Sequence, residues 1–350
     1  MSNPRNVLTL DEFRVSEIRS VPNATGELSN LLRDIALAAK HINLEVNKAG
    51  LVDILGDTGT INIQGEQVKK LDLYANDQMV AVLKRGISCA GIVSEELEDV
   101  IIFDDEMSCK SKYIVAVDPL DGSSNIDNCI SIGTIFGIYL RKTKPGQPCT
   151  EEDFRLEGRN MVSAGYVIYG SSTMFVFATT RSVNGFTLDP SIGEFYLSHP
   201  NIQCPAKGSI YSINQGNYYH YAPEIQHYLD HILRKNQEKE STYTQRHVAS
   251  MVADLHRNLI KGGIFLNPAT NAFPKGKLRL SYECNPWAFI FEVAGGAATN
   301  GEQRILDIPF KDLHQRTPLF IGSKGMMEEL QSFMQPANTM LGVETANAKI

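Results

Sequence analysis

The sequence has no C-x-x-C pair among its six cysteines, Cys89, Cys109, Cys129, Cys149, Cys204 and Cys284, and no dense cysteine framework. That excludes a disulfide scaffold of the secreted kind and points to reduced thiols in a cytoplasmic protein. It also lacks an excess of positive charge. Lys and Arg number 33 against 40 Asp and Glu, a formal net charge of -7, which argues against nucleic-acid and anionic-membrane partners. Long hydrophobic runs are missing too: the longest, such as residues 130–140, are of strand length and broken by Gly and Ser, whereas a membrane helix needs roughly 20 apolar residues. Residues 1–13 include Asp11 and Glu12 and no apolar core, so neither a secretory nor a transit peptide is expected. Neither an internal repeat nor a low-complexity run is present.

What is present fits a soluble enzyme. The 350 residues, 43% hydrophobic and 21% charged, can bury a sizeable core as two domains or one large one. An anionic small substrate would need positive charge concentrated locally, by metal ions or by a few Lys and Arg.

Helical spacing of Leu28, Leu31, Leu32, Ile35, Ala38, Ala39, Ile42 and Val46 predicts a helix capped by Thr25 and stopped by Gly50. A second helix is expected over 68–83, ended by Gly86, before the apolar run 91–93 delivers Ser94-Glu95-Glu96. Residues 113–117 read as a buried strand that runs into Asp118. From 130 to 214 short strands alternate with turn residues, at 131–140, 161–169, 173–180, 185–189, 194–198 and 209–214. Then come a helix begun by Pro223, a helix over 248–261, a strand over 277–282 and a helix begun by Pro286. The two prolines between 200 and 207 suggest a division into an N-terminal domain (6–200) and a C-terminal domain (201–334), followed by a polar tail (335–350).

The most informative segment is Asp118-Pro119-Leu120-Asp121-Gly122-Ser123-Ser124-Asn125. Two carboxylates three positions apart can converge on hard cations, and the Leu120 carbonyl between them can add a ligand. Gly122 and the small residues after it let backbone N–H groups approach an anion. A capped turn would satisfy the Asp and Ser alone, but the whole octapeptide directly after a buried strand reads as chemistry. Glu66, Asp72, Glu95, Glu96 and Glu283 are further acids that spacing cannot join in space.

Six blocks stand out along residues 6–334: Gly65-Glu66-Gln67-Val68-Lys69-Lys70-Leu71-Asp72, Ser94-Glu95-Glu96, the octapeptide continuing to Asp127, Gly133-Thr134-Ile135-Phe136-Gly137-Ile138-Tyr139, Gly262-Gly263-Ile264-Phe265-Leu266 and Gly276-Lys277-Leu278-Arg279-Leu280-Ser281-Tyr282-Glu283-Cys284-Asn285-Pro286. In these blocks and their order the chain resembles class I fructose-1,6-bisphosphatases. The resemblance implies a layered α/β/α/β/α fold shared with lithium-sensitive inositol phosphatases, a homotetramer, and gluconeogenic hydrolysis of fructose 1,6-bisphosphate. By motif position Glu95, Asp118, Leu120, Asp121 and Glu283 would hold two or three Mg²⁺ or Mn²⁺ ions. Glu66 and Asp72 would lie beside the third ion, and Glu96 with Asp72 or Glu66 would help deprotonate the attacking water. Gly122, Ser123, Ser124, Asn214, Tyr218, Arg246, His247, Met251, Asn267, Lys277 and Arg279 would contact substrate, with Arg246 reaching into a neighbouring subunit. Thr25, Gly26, Glu27, Lys112 and Tyr113 resemble the family's AMP-inhibition site.

Departures from the pattern bear on specificity and regulation. His247 and Asn267 stand where the family usually has tyrosines for the remote phosphate, and Tyr218 could supply a third hydroxyl. Leu140 replaces an Arg near the nucleotide site, with Arg141 one residue on and so facing the other way along a strand. The rival activities are a sedoheptulose-1,7-bisphosphatase or a dual-specificity enzyme, a lithium-sensitive phosphatase, and a non-catalytic AMP or sugar-phosphate sensor.

Overall fold

The computed structural model describes residues 7–20, 26–48, 51, 57–61, 67–238 and 242–334; Thr25, Gly50, Glu66 and the tail 335–350 lie outside the described residues. Helices α1 (Leu10–Ser20) and α2 (Glu27–Val46) are followed by the antiparallel pair β1 (Asp57–Ile61) and β2 (Gln67–Lys69), then α3 (Lys70–Arg85). The next strands are β3 (Gly91–Ser94), β4 (Ile101–Ile102), β5 (Tyr113–Asp121), β6 (Ile132–Leu140), β7 (Met161–Tyr169), β8 (Thr173–Thr179), β9 (Val183–Asp189) and β10 (Glu194–His199). Among the described residues they form one sheet in the order β10-β9-β8-β7-β6-β5-β3-β4, antiparallel except where β3 lies parallel to β5.

The chain then builds β11 (Ile210–Ser212), α4 (Pro223–Gln237), β12 (Thr244–Gln245), α5 (Met251–Lys261), β13 (Ile264–Asn267), β14 (Leu278–Arg279), α6 (Asn285–Val293), β15 (Ala297–Thr299), β16 (Arg316–Thr317), β17 (Leu319–Gly322) and α7 (Lys324–Met334). Strands β12-β11-β13-β17-β15 make a second sheet.

The large sheet is buried on both faces, which is why its strands read as nearly continuous apolar runs. Side chains alternate across a strand. Phe136, Val167, Phe175 and Phe177 accordingly pack on one face with Leu31 and Ile35 of α2 and Met79 of α3. Ile135, Tyr166, Met174 and Val176 point to the other face and pack with Val252 of α5 and Trp287 of α6. A third cluster joins Tyr228 of α4 and Leu330 of α7 to Ile264 and Phe320 on the far side of the small sheet. The layers are therefore α, β, α, β, α. Each fully buried Phe contributes about 2 to 3 kcal/mol, and Phe136, Phe175, Phe186 and Phe195 all belong to the cluster that α2 and α3 cover.

Several expected elements differ: α2 has Gly26 rather than Thr25 as its N-cap, and the helix over 68–83 begins at Lys70 because Gln67–Lys69 pairs with β1. The strand over 277–282 is reduced to Leu278–Arg279, because Leu280–Cys284 forms a π-helical turn that continues into α6. The helix over 248–261 starts three residues late, at Met251, with Ser250 as its N-cap. Among the described residues no helix is long and apolar enough to cross a membrane.

Candidate metal centre and substrate cleft

Because β3 and β5 run parallel side by side, Ser94 pairing with Val117, their carboxyl ends deliver Glu95 and Asp118 to one edge. The Glu95 N–H donates to the Val117 carbonyl at 3.1 Å, which extends the ladder to the site. Asp118 and Asp121, three positions apart on a regular strand, would face opposite sides. Here Asp118 pairs with Ile135 and Asp121 with Gly133, three residues on β5 against two on β6, so an irregularity inserts one residue and restores a common face. The Thr134 hydroxyl donates to the Pro119 carbonyl at 2.8 Å within the irregularity.

Gly122 follows at φ 78, a conformation that favours glycine, and a Cβ there would come within 3.0 Å of Ser250. The chain then coils into the 3₁₀ turn Ser123–Asn128.

From the second half, the π-helical turn brings Glu283 to the same point. One ligand oxygen from each of Asp118, Asp121 and Glu283 lies within 4.8 Å of the others, and all three residues are buried. Asp118 Oδ1 accepts the Leu120 N–H at 3.0 Å. Asp121 Oδ2 accepts the Val252 N–H at 2.9 Å and the Ser250 hydroxyl at 3.2 Å. Glu283 Oε2 accepts the Arg279 N–H at 2.5 Å and lies 3.0 Å from its Nε, while the same guanidinium contacts Glu95.

Arg279 is a buried guanidinium among four buried acids, Glu95, Asp118, Asp121 and Glu283. Burial lifts the Asp118 carboxyl well above the usual range, helped by the charges of Asp121, Glu283 and Glu96. Burial pushes Asp121 up to about 7, with Glu283 adding to the rise and the Val252 and Ser250 bonds opposing it. An all-oxygen donor set of buried, mutually repelling carboxyls fits hard divalent ions, and Asp118, Asp121 and Glu283 bring no thiol or imidazole for a softer metal.

The carboxylates form one wall of a cleft of about 580 Å³. Asp72, Glu95, Glu96, Asp118, Leu120, Asp121, Gly122, Ser123, Ser124, Asn214, His247, Met251, Asn267, Lys277, Arg279 and Glu283, sixteen of the expected site residues, line this one space. Asp72 Oδ2 also accepts the Lys69 N–H at 2.8 Å and so caps α3. Tyr218 and Arg246 are not among the lining residues. The Tyr218 hydroxyl donates to Asp230 of α4 at 2.8 Å, while Asn217 and Tyr221 from the same turn do line the cleft. Lys69 is a lining residue that residue type alone did not single out; it stands inside the matched block before Asp72, and its Nζ bonds Asp127 at 3.0 Å.

Four of the expected nucleotide-site residues meet elsewhere. Gly26 caps α2 at φ 77, and Glu27 accepts the Lys112 N–H at 2.7 Å and sits 3.6 Å from its Nζ. Tyr113 is half-buried beside Glu27, and its hydroxyl is pushed up by burial and by that charge. Leu140 is 48% exposed, whereas Arg141 is buried and donates to the Cys109 and Lys144 carbonyls at 2.6 and 2.8 Å.

Residues 8–200 match the family model described as fructose-1-6-bisphosphatase, N-terminal domain, and residues 204–335 match the C-terminal domain of the same family. The chain belongs to the fructose-1,6-bisphosphatase family. A class 1 fructose-1,6-bisphosphatase of Cytophaga hutchinsonii is 54% identical over 333 residues, which cover 95% of this chain and 96% of that protein. The crystal structure of Leishmania major fructose-1,6-bisphosphatase in holo form superimposes with a TM-score of 0.88 at 39% identity, covering 94% of this chain and all of that one. Its T-state structure superimposes with a TM-score of 0.83 at 38% identity, over 95% of this chain. Membership in the family makes the chain a metal-dependent phosphatase with the layered fold described above.

Proposed function

We propose that the chain hydrolyses the 1-phosphate of D-fructose 1,6-bisphosphate, releasing D-fructose 6-phosphate and phosphate, with Mg²⁺ or Mn²⁺ as its metal, two or three ions per subunit. The observation that carries this is the convergence of Asp118, Asp121 and Glu283 on one point, in the cleft that Ser123, Ser124 and Lys277 also line. Glu95, Asp118, the Leu120 carbonyl, Asp121 and Glu283 are the ligands in this reading. When bound, such ions lower the pKa of a water, offset phosphate charge and stabilise the departing sugar oxygen.

The chain's own groups orient and move protons. Glu96 and Asp72, with Glu66, take the proton of the attacking water. Gly122, Ser123 and Ser124 offer N–H and hydroxyl donors to the phosphate, because the first N–H groups of a helical turn have no partner within it. Lys277 and Arg279 supply countercharge to a substrate entering an acidic protein. Asn214, Met251, His247 and Asn267 contact the sugar and its second phosphate. Arg246, outside the lining of its own cleft, serves a neighbouring subunit's cleft in a homotetramer. Residues 6–200 act as the metal-bearing half and 201–334 as the substrate half, Glu283 being the second half's contribution to the metal. AMP, held by Thr25, Gly26, Glu27, Lys112 and Tyr113, regulates the enzyme from outside the cleft, in the cytoplasm.

Phosphate release from fructose 1,6-bisphosphate, with Mg²⁺ and after chelation, tests the reading. Turnover that requires the metal is expected; no turnover with saturating Mg²⁺ or Mn²⁺ overturns it. His247 and Asn267 at the cleft wall make sedoheptulose 1,7-bisphosphate the comparison substrate, and a higher specificity constant for it would reassign the preference.

A further inference from the structure

We propose that Asp254, in the first turn of α5, is a positioning residue for the end of the cleft that takes the substrate's second phosphate. The inference rests on the sugar-bisphosphate reading above. Asp254 is fully buried and does not line the cleft. Its carboxylate instead collects the backbone of the loop before α5. The Val248 N–H donates to Oδ1 and Oδ2 at 3.1 and 2.9 Å, and the Ala249 N–H donates to Oδ2 at 3.2 Å. His247, which does line the cleft, places Nδ1 3.5 Å from Oδ2.

The loop cannot hold this shape by itself. Ala249 sits at φ 64, a left-handed conformation that costs a residue with a Cβ about 1 kcal/mol or more. Arg257, one turn further along α5, closes the clamp: its Nη2 donates to Asp254 Oδ1 at 2.8 Å and to the Arg246 carbonyl at 3.0 Å. A buried carboxylate with three N–H contacts and a guanidinium thus fixes residues 246–249 as a rigid unit. The same helix secures Asp121 through the Ser250 hydroxyl and the Val252 N–H. One helix start therefore sets the distance between the metal ligands and the wall that carries His247.

A residue that merely stabilised the fold would weaken every ligand alike; Asp254 should affect only those that reach the loop. Asp254→Asn keeps the side chain's shape but removes the charge and one acceptor oxygen. With saturating Mg²⁺, KM for fructose 1,6-bisphosphate and Ki for fructose 6-phosphate should each rise about tenfold, equivalent to about 1.4 kcal/mol, the size of one such hydrogen bond. Inorganic phosphate, bound at the carboxylate end, should keep its Ki, and kcat should stay within about threefold. Unchanged sugar-phosphate constants, or a loss shared equally by inorganic phosphate and kcat, would overturn the proposal. If Asp254→Asn does not fold, Arg257→Gln, at the partly exposed end of the clamp, should raise the two sugar-phosphate constants about threefold and spare inorganic phosphate; equal changes overturn the proposal there as well. Wild-type protein without turnover on the bisphosphate would instead remove the functional reading, and this proposal with it.

Discussion

Replacing Asp121 by Asn should make the metal-free protein more stable near neutral pH and remove its stabilisation by Mg²⁺. Burial raises the Asp121 carboxyl from 3.8 to about 7. A carboxyl whose pKa is higher folded than unfolded favours the folded state only while protonated. Its contribution is complete below the unfolded value and is lost as pH climbs through about 7. The gap is worth about 4 kcal/mol by pH 8. Asn keeps an oxygen for the Val252 N–H and drops the charge, so about 2 to 4 kcal/mol should be recovered. Unfolding entropy of about 2.1 cal/mol/K per residue gives roughly 0.7 kcal/mol/K for a chain of 350 residues, hence a Tm higher by about 3 to 6 °C. Differential scanning calorimetry on chelated wild type and variant measures this. At about pH 5 folded Asp121 carries its proton while most of the unfolded chain has lost it, so only about 2 kcal/mol of the penalty remains and the difference should shrink to roughly half; it vanishes only below about 3.8. Millimolar Mg²⁺ should then raise the wild-type Tm at about pH 8 and leave the variant nearly unmoved. A variant that melts at or below the wild type at about pH 8, or by the same margin at both pH values, would refute the electrostatic reasoning.

Two other outcomes follow from the same packing. Trp287, fully buried and stacked on Tyr166 at 4.3 Å, should cost about 4 kcal/mol on truncation to Ala, a Tm drop of about 5 °C by calorimetry; a change under about 1 °C would mean that the middle layer does not carry the fold. AMP should inhibit without competing with fructose 1,6-bisphosphate, and Lys112→Ala should weaken that inhibition at least about fivefold with KM unchanged; competitive kinetics, or no effect of millimolar AMP, would dissociate Gly26, Glu27 and Lys112 from regulation.

How legible each feature was depended on how local its cause is. Asp118 to Asn125 could be read as a site because strand, turn and ligands are contiguous, and the strands from β6 to β10 because both of their faces are apolar. The strand over 277–282 misled because Leu278, Leu280 and Tyr282 alternate with polar residues, yet all three are also buried when the chain turns at Leu280. What the alternation cannot express is that Glu283 must reach Asp118. The late start of α5 was hidden for a similar reason: the Val248 and Ala249 N–H groups go to the Asp254 carboxylate, and Ser250 turns towards Asp121, 129 residues earlier. Tyr218 suited the cleft by residue type, but Asp230 on α4 takes its hydroxyl.

The π-helical turn at Leu280–Cys284 has a consequence for how this region of the chain can vary. Each residue in a helix advances the side-chain direction by about 100°. Glu283 faces Asp118 and Asp121 because five residues are wound between Arg279 and the first residue of α6. Substitutions within the turn alter packing around a fixed carboxylate. Deleting Cys284, the one residue between Glu283 and α6, would swing that carboxylate about a quarter-turn away from the other two, while α6 behind it could keep its seat against the sheet. A change in length between Glu283 and Asn285 should therefore give a folded protein that does not bind metal, whereas the exposed turn at Pro190 to Gly193 should accept insertions with little effect on catalysis.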